Sequence, residues 1–233
     1  KGTMMKYELI LFDLDGTLFD YEKAEKYALE NAFKDFGITN VTPNITSNYK
    51  KINHDIWERF EKKLISAIKL RTERWEILFS QLNLDFDPQK FSARYLYHLS
   101  QADFYLPDAK ELIKSLYGKI KMVLITNGLS DVQQGRFGKS DIKDFIPQIF
   151  ISEEIGIPKP HPEIFEFIFK KLNFNDKKKA IIVGDSLNSD IKGGNNFGID
   201  SVWINPENIE NTSDAQPTFE IRDINELKKI VGL

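Results

Sequence analysis

Two aspartates separated by one residue, Asp13 and Asp15, are the first side chains in the chain that could carry out chemistry. They directly follow the apolar run 9–12. Four apolar residues without alternation predict a strand that is covered on both faces, as in a parallel sheet. The two carboxylates would then stand at the C-terminal end of a buried strand, where open α/β sheets bind their ligands. Because like charges this close repel each other, the turn predicts a bound cation or a shared proton.

The spacing of this turn gives each carboxylate a separate task. At the exit of a strand, residues i and i+2 can face one ligand while Leu14 between them points back into the core. Asp13 can then attack an electrophile, and Asp15 can move protons. Gly16 permits a backbone conformation that other residues avoid, and Thr17 offers a hydroxyl to a bound oxyanion.

Two other interpretations of the turn were weighed. A calcium-binding loop that starts at Asp13 needs Gly and Glu at the positions of Leu18 and Ala24, so the sequence excludes it. A surface turn rich in Asp and Gly, which only reverses the chain, stays open on the turn alone.

Composition narrows the class of protein. The chain has 233 residues, of which 41% are hydrophobic and 29% charged, as in ordinary globular proteins. A net charge of −3 gives no footprint for a nucleic acid polymer, and the lack of cysteine excludes disulfides, zinc–thiolate sites and thiol nucleophiles. No apolar run reaches membrane-spanning length and the N-terminus lacks a signal-peptide pattern. We therefore expect a cytoplasmic protein that binds neither membranes nor nucleic acid.

The periodicity of the chain predicts two domains. Helical periodicity dominates residues 19–105, with helices predicted over 21–36, 52–70, 75–82 and 91–99. Aromatic residues at helical spacing in this insert are expected to pack its core. From residue 106 onward helices alternate with short apolar strands, which is typical of a parallel sheet. We therefore predict a catalytic core formed by 4–18 and 106–233, interrupted by a helical insert over 19–105.

Three further loops carry residues that suit the chemistry of the first turn. Thr126 and Asn127 follow the predicted strand 121–125 and supply hydroxyl, amide and backbone donors for phosphate oxygens. Lys159 stands between two prolines as a cation on a stiffened loop. Asp185 and Asp190 follow the predicted strand 180–183. Hard oxygen ligands of this kind favour Mg²⁺.

Each loop also has a plain structural interpretation. Thr126 and Asn127 can form an ordinary turn, Lys159 can be a surface lysine, and the segment from Asp185 can cap a helix. The order of the four elements, three of them at the ends of predicted buried strands, favours a shared site.

Together these segments resemble the four motifs of the haloacid dehalogenase superfamily. The resemblance implies an α/β fold, with a Rossmann-like parallel-sheet core and an inserted all-helical cap of the C1 type. Shorter segments are similar to the bacterial pyrimidine 5′-nucleotidase branch, which removes phosphate from pyrimidine nucleoside monophosphates; these segments are 125–128, 133–134, 151–154, 184–187, 190–194 and 203–206. The expected substrate is a small-molecule phosphate monoester, with a nucleotide favoured.

The resemblance also implies a role for each motif residue. Asp13 would be the nucleophile that forms an aspartyl-phosphate, and Asp15 would be the general acid and base. Asp190 would support the metal ligands without touching the ion. Mg²⁺ would be held by the side chains of Asp13 and Asp185 and by the backbone carbonyl of Asp15. The phosphate oxygens would be held by Thr126, Asn127 and Lys159.

Alternatives within and beyond this superfamily stay open on the sequence. A 2-haloacid dehalogenase is disfavoured because such an enzyme has no phosphate leaving group for Asp15 to protonate. A sugar-phosphate phosphatase or a phosphomutase would carry the same motifs. A non-catalytic sensor of phosphorylated metabolites is the alternative outside enzymes. The sequence is compatible with a monomer and with a homodimer.

Overall fold

The chain divides into two compact units. The computed structural model describes residues 5–62 and 64–233, so Met4, the first residue of the predicted core, lies outside the described residues. The core unit contains residues 5–21 and Asp103–Leu233, and the helical unit contains Glu22–Ala102. Phe19 and Tyr105, which we had predicted as part of the insert, belong to the core unit, where they form an antiparallel bridge.

The core unit is built on a six-stranded parallel sheet with the strand order β3-β2-β1-β4-β5-β6. The α/β class and the parallel sheet predicted from the sequence are therefore confirmed. The strands are β1 (Leu9–Phe12), β2 (Lys121–Thr126), β3 (Ile149–Ile151), β4 (Ala180–Gly184), β5 (Asp200–Ile204) and β6 (Phe219–Ile221).

The described residues form ten α-helices, four in the helical unit and six in the core. The helical unit contains α1 (Tyr21–Asp35, whose first residue is counted with the core), α2 (Pro43–Glu61), α3 (Ala67–Leu82) and α4 (Pro88–Ser100). The core contains α5 (Ala109–Leu116), α6 (Ser130–Lys139), α7 (Ser152–Ile155), α8 (Pro162–Leu172), α9 (Lys192–Phe197) and α10 (Leu227–Val231). Within the described ranges, no helix combines the length and hydropathy needed to cross a bilayer.

Strand β1 is covered on both faces, which explains its unbroken apolar run. Ile10 and Phe12 pack in the layer that includes residues of α5 and α10. Leu9 and Leu11 point the opposite way and pack against α8. All four side chains are fully buried, since successive residues of a strand face opposite sides of the sheet.

The register of the central strands brings three chain segments to one edge. Phe12 at the end of β1 lies opposite Leu124 of β2 and Val183 of β4. The residues that follow these positions therefore leave the sheet side by side, at the carboxyl edge where α/β proteins bind ligands.

The helical unit has an aromatic core centred on Trp75, which is fully buried. The indole stacks on Tyr49 with 5.1 Å between ring centroids and contacts Phe91 and Tyr95 at 4.7 and 4.8 Å. Aromatic pairs of this kind add stability beyond the area that they bury. The prediction that aromatic residues of the insert pack its core is thus confirmed for Trp75.

The predicted helix boundaries in this unit were partly wrong. The sequence pattern suggested one helix over 52–70, whereas α2 ends at Glu61 and α3 begins at Ala67. Ser66 explains the break, because its side chain accepts a hydrogen bond from Lys69 N and caps α3. Likewise Thr42 caps α2, which begins earlier than the apolar periodicity indicated.

Replacement of Ile182 in the centre of β4 is expected to destabilise the core. Ile182 is fully buried in the layer against α8, so Ile182→Ala should lower the free energy of unfolding by about 2–5 kcal/mol. Urea denaturation followed by circular dichroism measures this loss. Ile209→Ala is the control, since that side chain is 60% exposed and its removal should change stability by less than about 0.5 kcal/mol. Equal effects of the two substitutions would contradict the packing described.

Candidate active site

The turn after β1 is held rigidly by backbone hydrogen bonds. Asp13 N donates to Val183 O at 2.9 Å, which extends the pairing with β4 by one residue. The carbonyl of Leu14 accepts from the amides of Leu18 and Phe19 at 3.0 and 2.8 Å. The backbone of the nucleophile predicted from the sequence is therefore fixed by the sheet.

Gly16 is required in this turn for two reasons. Its φ is +80°, a conformation that side chains with a Cβ rarely adopt. In addition, a Cβ at this position would lie 2.3 Å from Asp185 Oδ2. The glycine thus lets the carboxylate that follows β4 approach the turn that follows β1.

Three carboxylates from the ends of β1 and β4 form an acidic cluster. Asp13, Asp185 and Asp190 each place one oxygen so that all three lie within 4.8 Å of one another. Asp13 and Asp190 are buried, whereas Asp185 is exposed as a residue but holds its carboxylate against the Gly16 turn. The structure therefore brings together the aspartates that the sequence analysis assigned to metal binding and its support.

Lys159 is the buried cation of this cluster. Its Nζ donates to Asp13 Oδ1 at 2.5 Å, to Asp190 Oδ1 at 2.6 Å and to the carbonyl of Ile125 at 3.1 Å. The three donors of the ammonium group are therefore all used. The alternative that Lys159 is a surface lysine is wrong, because the residue is only 2% exposed.

The local electrostatics favour a positive charge in the cluster. Burial raises the pKa of Asp13, and the charges of Asp190 and Asp185 raise it further, against the opposing effect of Lys159. At Asp185, desolvation by the surrounding protein and the charge of Asp190 raise the pKa to about 7. Burial lowers the pKa of Lys159, but the two carboxylates beside it outweigh that effect and leave the value above normal. Lys159 therefore stays charged.

Asn127 holds the lysine loop in place. Its side-chain amide donates to Lys159 O and its side-chain oxygen accepts from Lys159 N, both at 2.9 Å. The resemblance implies that Asn127 also binds phosphate oxygens. In this structure both ends of its side-chain amide bind the backbone of Lys159, so the side chain orients the loop.

Asp15 is held from α6 by two residues that the sequence analysis did not assign to the site. Gln133 Nε2 donates to Asp15 Oδ2 at 2.7 Å, and Arg136 Nη1 donates to Asp15 Oδ1. The same Gln133 nitrogen also lies 2.8 Å from Thr126 Oγ1, which accepts from Gly128 N as well. Thr126 and Asp15 are therefore linked through one amide group.

A sequence signal for these two residues was present. Gln133 and Arg136 are spaced i, i+3 on α6, and Gln133 follows the buried Val132 directly. Residues three apart share a helix face, and a glutamine and an arginine are seldom placed on a face that packs against a core. The pattern becomes visible only once residues 130–139 are known to form a helix.

The donor set fits a hard divalent cation such as Mg²⁺. Carboxylate oxygens are the ligands that Mg²⁺ prefers. Burial and the charge of Asp190 raise the pKa values of Asp13 and Asp185, and a cation among the three carboxylates would relieve the repulsion between them. The side chains of Asp13 and Asp185 would be available as ligands, whereas Asp190 is already bound to Lys159 and to Ser186 N.

Comparison with known proteins agrees with the motifs. A family model described as haloacid dehalogenase-like hydrolase matches residues 7–198. The chain is 36% identical to the pyrimidine 5′-nucleotidase PynA of Streptococcus pneumoniae, a match that covers 96% of this chain and 94% of that protein. It is 30% identical to the pyrimidine 5′-nucleotidase YjjG of Escherichia coli, over 97% of this chain and 99% of that one.

Solved structures show the same fold. The HAD-hydrolase YfnB from Bacillus subtilis, crystallised bound to magnesium, matches with a TM-score of 0.92 and 32% identity over 98% of this chain and 100% of that one. A 2-haloacid dehalogenase from Pseudomonas syringae matches with a TM-score of 0.68 at 22% identity, over 96% of this chain and 97% of that one, which shows a shared fold only. The resemblance predicted from the four motifs is confirmed.

The close approach of Asp190 to the end of β4 predicts that Gly184 tolerates no side chain. A Cβ there would lie 2.2 Å from Asp190 Oδ2, and Asp190 is fully buried and bound to Lys159. Gly184→Ala should therefore cost about 1–3 kcal/mol of unfolding free energy, measured by urea denaturation. Gly138→Ala on α6, where a Cβ meets nothing within 4 Å, should be neutral or stabilise by about 0.5–1 kcal/mol. A Gly184→Ala protein as stable as wild type would refute this packing.

Proposed function

Because the chain belongs to the haloacid dehalogenase-like hydrolases, we propose that it is a magnesium-dependent phosphatase acting on pyrimidine nucleoside 5′-monophosphates. One observation carries the proposal. The buried carboxylate of Asp13 lies at the end of β1 beside the ammonium of Lys159, with Asp15 two residues further along the chain. This arrangement offers a nucleophile, a fixed positive charge and a proton carrier at one sheet edge.

In the first step Asp13 attacks phosphorus. A carboxylate oxygen forms the new bond to phosphorus while the bond from phosphorus to the ester oxygen breaks. Asp15 gives its proton to that ester oxygen, which leaves as the alcohol of the nucleoside. The product on the enzyme is an aspartyl-phosphate, so one difficult displacement is divided into two easier ones.

In the second step water replaces the aspartyl oxygen. Asp15, now a carboxylate, takes a proton from the attacking water. The bond from phosphorus to Asp13 breaks, and inorganic phosphate leaves. Asp13 is again a carboxylate and Asp15 again carries a proton, which completes the cycle.

Positioning and charge account for most of the expected rate gain. In phosphoryl transfer the protein contributes mainly by aligning the reacting groups and by stabilising the negative charge on the equatorial oxygens. Lys159 supplies a fixed positive charge next to the nucleophile, and Thr126 supplies a hydroxyl at the end of β2. Asp13, the backbone carbonyl of Asp15 and Asp185 would hold Mg²⁺, which when bound neutralises charge on the phosphoryl group.

The pyrimidine nucleotide is proposed from the relatives. PynA and YjjG are both pyrimidine 5′-nucleotidases, and both match nearly the whole chain, including the helical unit. A small-molecule ester is also consistent with the net charge of −3, because proteins that bind nucleic acid polymers are usually basic.

Phosphate release from a panel of esters tests the substrate class. UMP, dUMP, dTMP and CMP should be hydrolysed in Mg²⁺ faster than AMP, GMP and sugar phosphates. EDTA should abolish release because no divalent cation then neutralises charge on the phosphoryl group. Hydrolysis of the sugar phosphates alone would retain the chemistry and reject the nucleotide assignment. No release from any ester would reject the phosphatase.

Replacement of the nucleophile tests the mechanism. Asp13→Asn keeps the shape of the side chain but removes the attacking carboxylate, so the UMP turnover number should fall by at least about 10³-fold. Asp85→Asn on an exposed turn of the helical unit is the control and should retain full activity. Thermal melting of both variants checks the fold, and residual turnover near wild type in Asp13→Asn would disprove the assignment.

A further inference from the structure

Both oxygens of Asp15 are engaged by residues of one helix, and this arrangement suggests a function for that helix. We propose that Arg136 and Gln133 are positioning residues that fix the carboxyl group of Asp15 for proton transfer to the leaving group. The inference rests on the proposed phosphatase function. It adds two residues of α6 that act through Asp15, and it predicts that the effect of replacing them depends on the leaving group of the ester.

Arg136 is itself held tightly. The residue is completely buried, and its guanidinium carbon lies 5.0 Å from the centroid of the Phe19 ring. Phe19 in turn packs edge-on against Tyr105, with centroids 5.0 Å apart. Burial of a charged arginine is costly unless it is paired. Its partners here include Asp15 and, at 3.2 Å, Gln133 Oε1.

Gln133 joins the acid to the neighbouring strand. Its Nε2 lies within hydrogen-bond distance of both Asp15 and Thr126. Gly128 allows this approach, because a Cβ there would lie 2.4 Å from Gln133 Nε2. The glycine after β2 therefore serves the amide that orients Asp15.

The geometry leaves Asp15 able to react. Its side chain is 24% exposed, whereas that of Arg136 is fully buried, so the carboxyl group is anchored from the protein side and open on the other. An ionised carboxylate has about four acceptor positions, and the contacts with Gln133 and Arg136 use two of them. The remaining positions can carry the transferred proton.

A positioning role predicts a dependence on the leaving group. A nucleoside leaves as a strongly basic alkoxide unless it is protonated, so UMP hydrolysis needs a well-placed acid. The p-nitrophenolate ion is a weak base and leaves without a proton. Misplacement of Asp15 should therefore slow the first substrate far more than the second, whereas general damage to the site would slow both.

The test compares Arg136→Gln and Gln133→Leu with wild type on UMP and on p-nitrophenyl phosphate, each with Mg²⁺. We expect kcat for UMP to fall about 10–100-fold in Arg136→Gln, with KM nearly unchanged and kcat for p-nitrophenyl phosphate reduced less than about threefold. Gln133→Leu should show the same selectivity with a smaller loss. Arg136→Lys, which retains a positive charge, should recover part of the UMP activity.

A double-mutant cycle with Asp15→Asn separates positioning from other effects. If Arg136 acts through Asp15, then adding Arg136→Gln to Asp15→Asn causes no further loss of UMP turnover. Additive losses, equal losses on both substrates, or an unchanged Arg136→Gln enzyme would each overturn the inference. If Arg136→Gln does not fold, as thermal melting would show, the same comparison is decided by Gln133→Leu. A wild-type enzyme that hydrolyses neither ester would reject the proposed function, and the inference with it.

Discussion

Repulsion between carboxylates at the edge of the sheet is the constraint on which the rest of the site depends. Burial raises the pKa values of Asp13 and Asp185, and the charge of the neighbouring Asp190 raises both further. Lys159, buried with all of its donors used, balances part of that charge. The fold holds these groups at a net cost that a divalent cation would lower, which connects the stability of the site with its readiness to bind a metal.

Glycines at the strand ends make this crowding possible. A Cβ at Gly16, Gly128 or Gly184 would lie between 2.2 and 2.4 Å from the side chain of Asp185, Gln133 or Asp190 respectively. Each glycine lies in or beside a turn that leaves the carboxyl end of a central strand. The side chains of the site thus occupy the space that a Cβ at each glycine would fill. Their close approach therefore depends on these three glycines as well as on the order of the strands.

The sequence predicted those strands and site residues that can be recognised from a few consecutive residues. The apolar runs of β1, β2 and β4 predicted buried strands, and the polar residues that follow them predicted the site. What escaped was specified by tertiary contacts or by single capping residues. Arg136 reaches Asp15 across 121 positions, the side chain of Asn127 binds the backbone of Lys159, and the break before α3 depends on one serine. Periodicity does not report pairings of this kind.

The bridge between Phe19 and Tyr105 has a consequence for how the protein can change over time. The two segments that lead into and out of the helical unit are paired within the core. The ends of the insertion are therefore adjacent, and the core needs only a short connection between them. Insertions with adjacent ends are tolerated well. The helical unit, with an aromatic core of its own, can therefore accumulate substitutions without shifting the register of the sheet. Selection on the helical segment and selection on the catalytic segment can act on separate stretches of one gene.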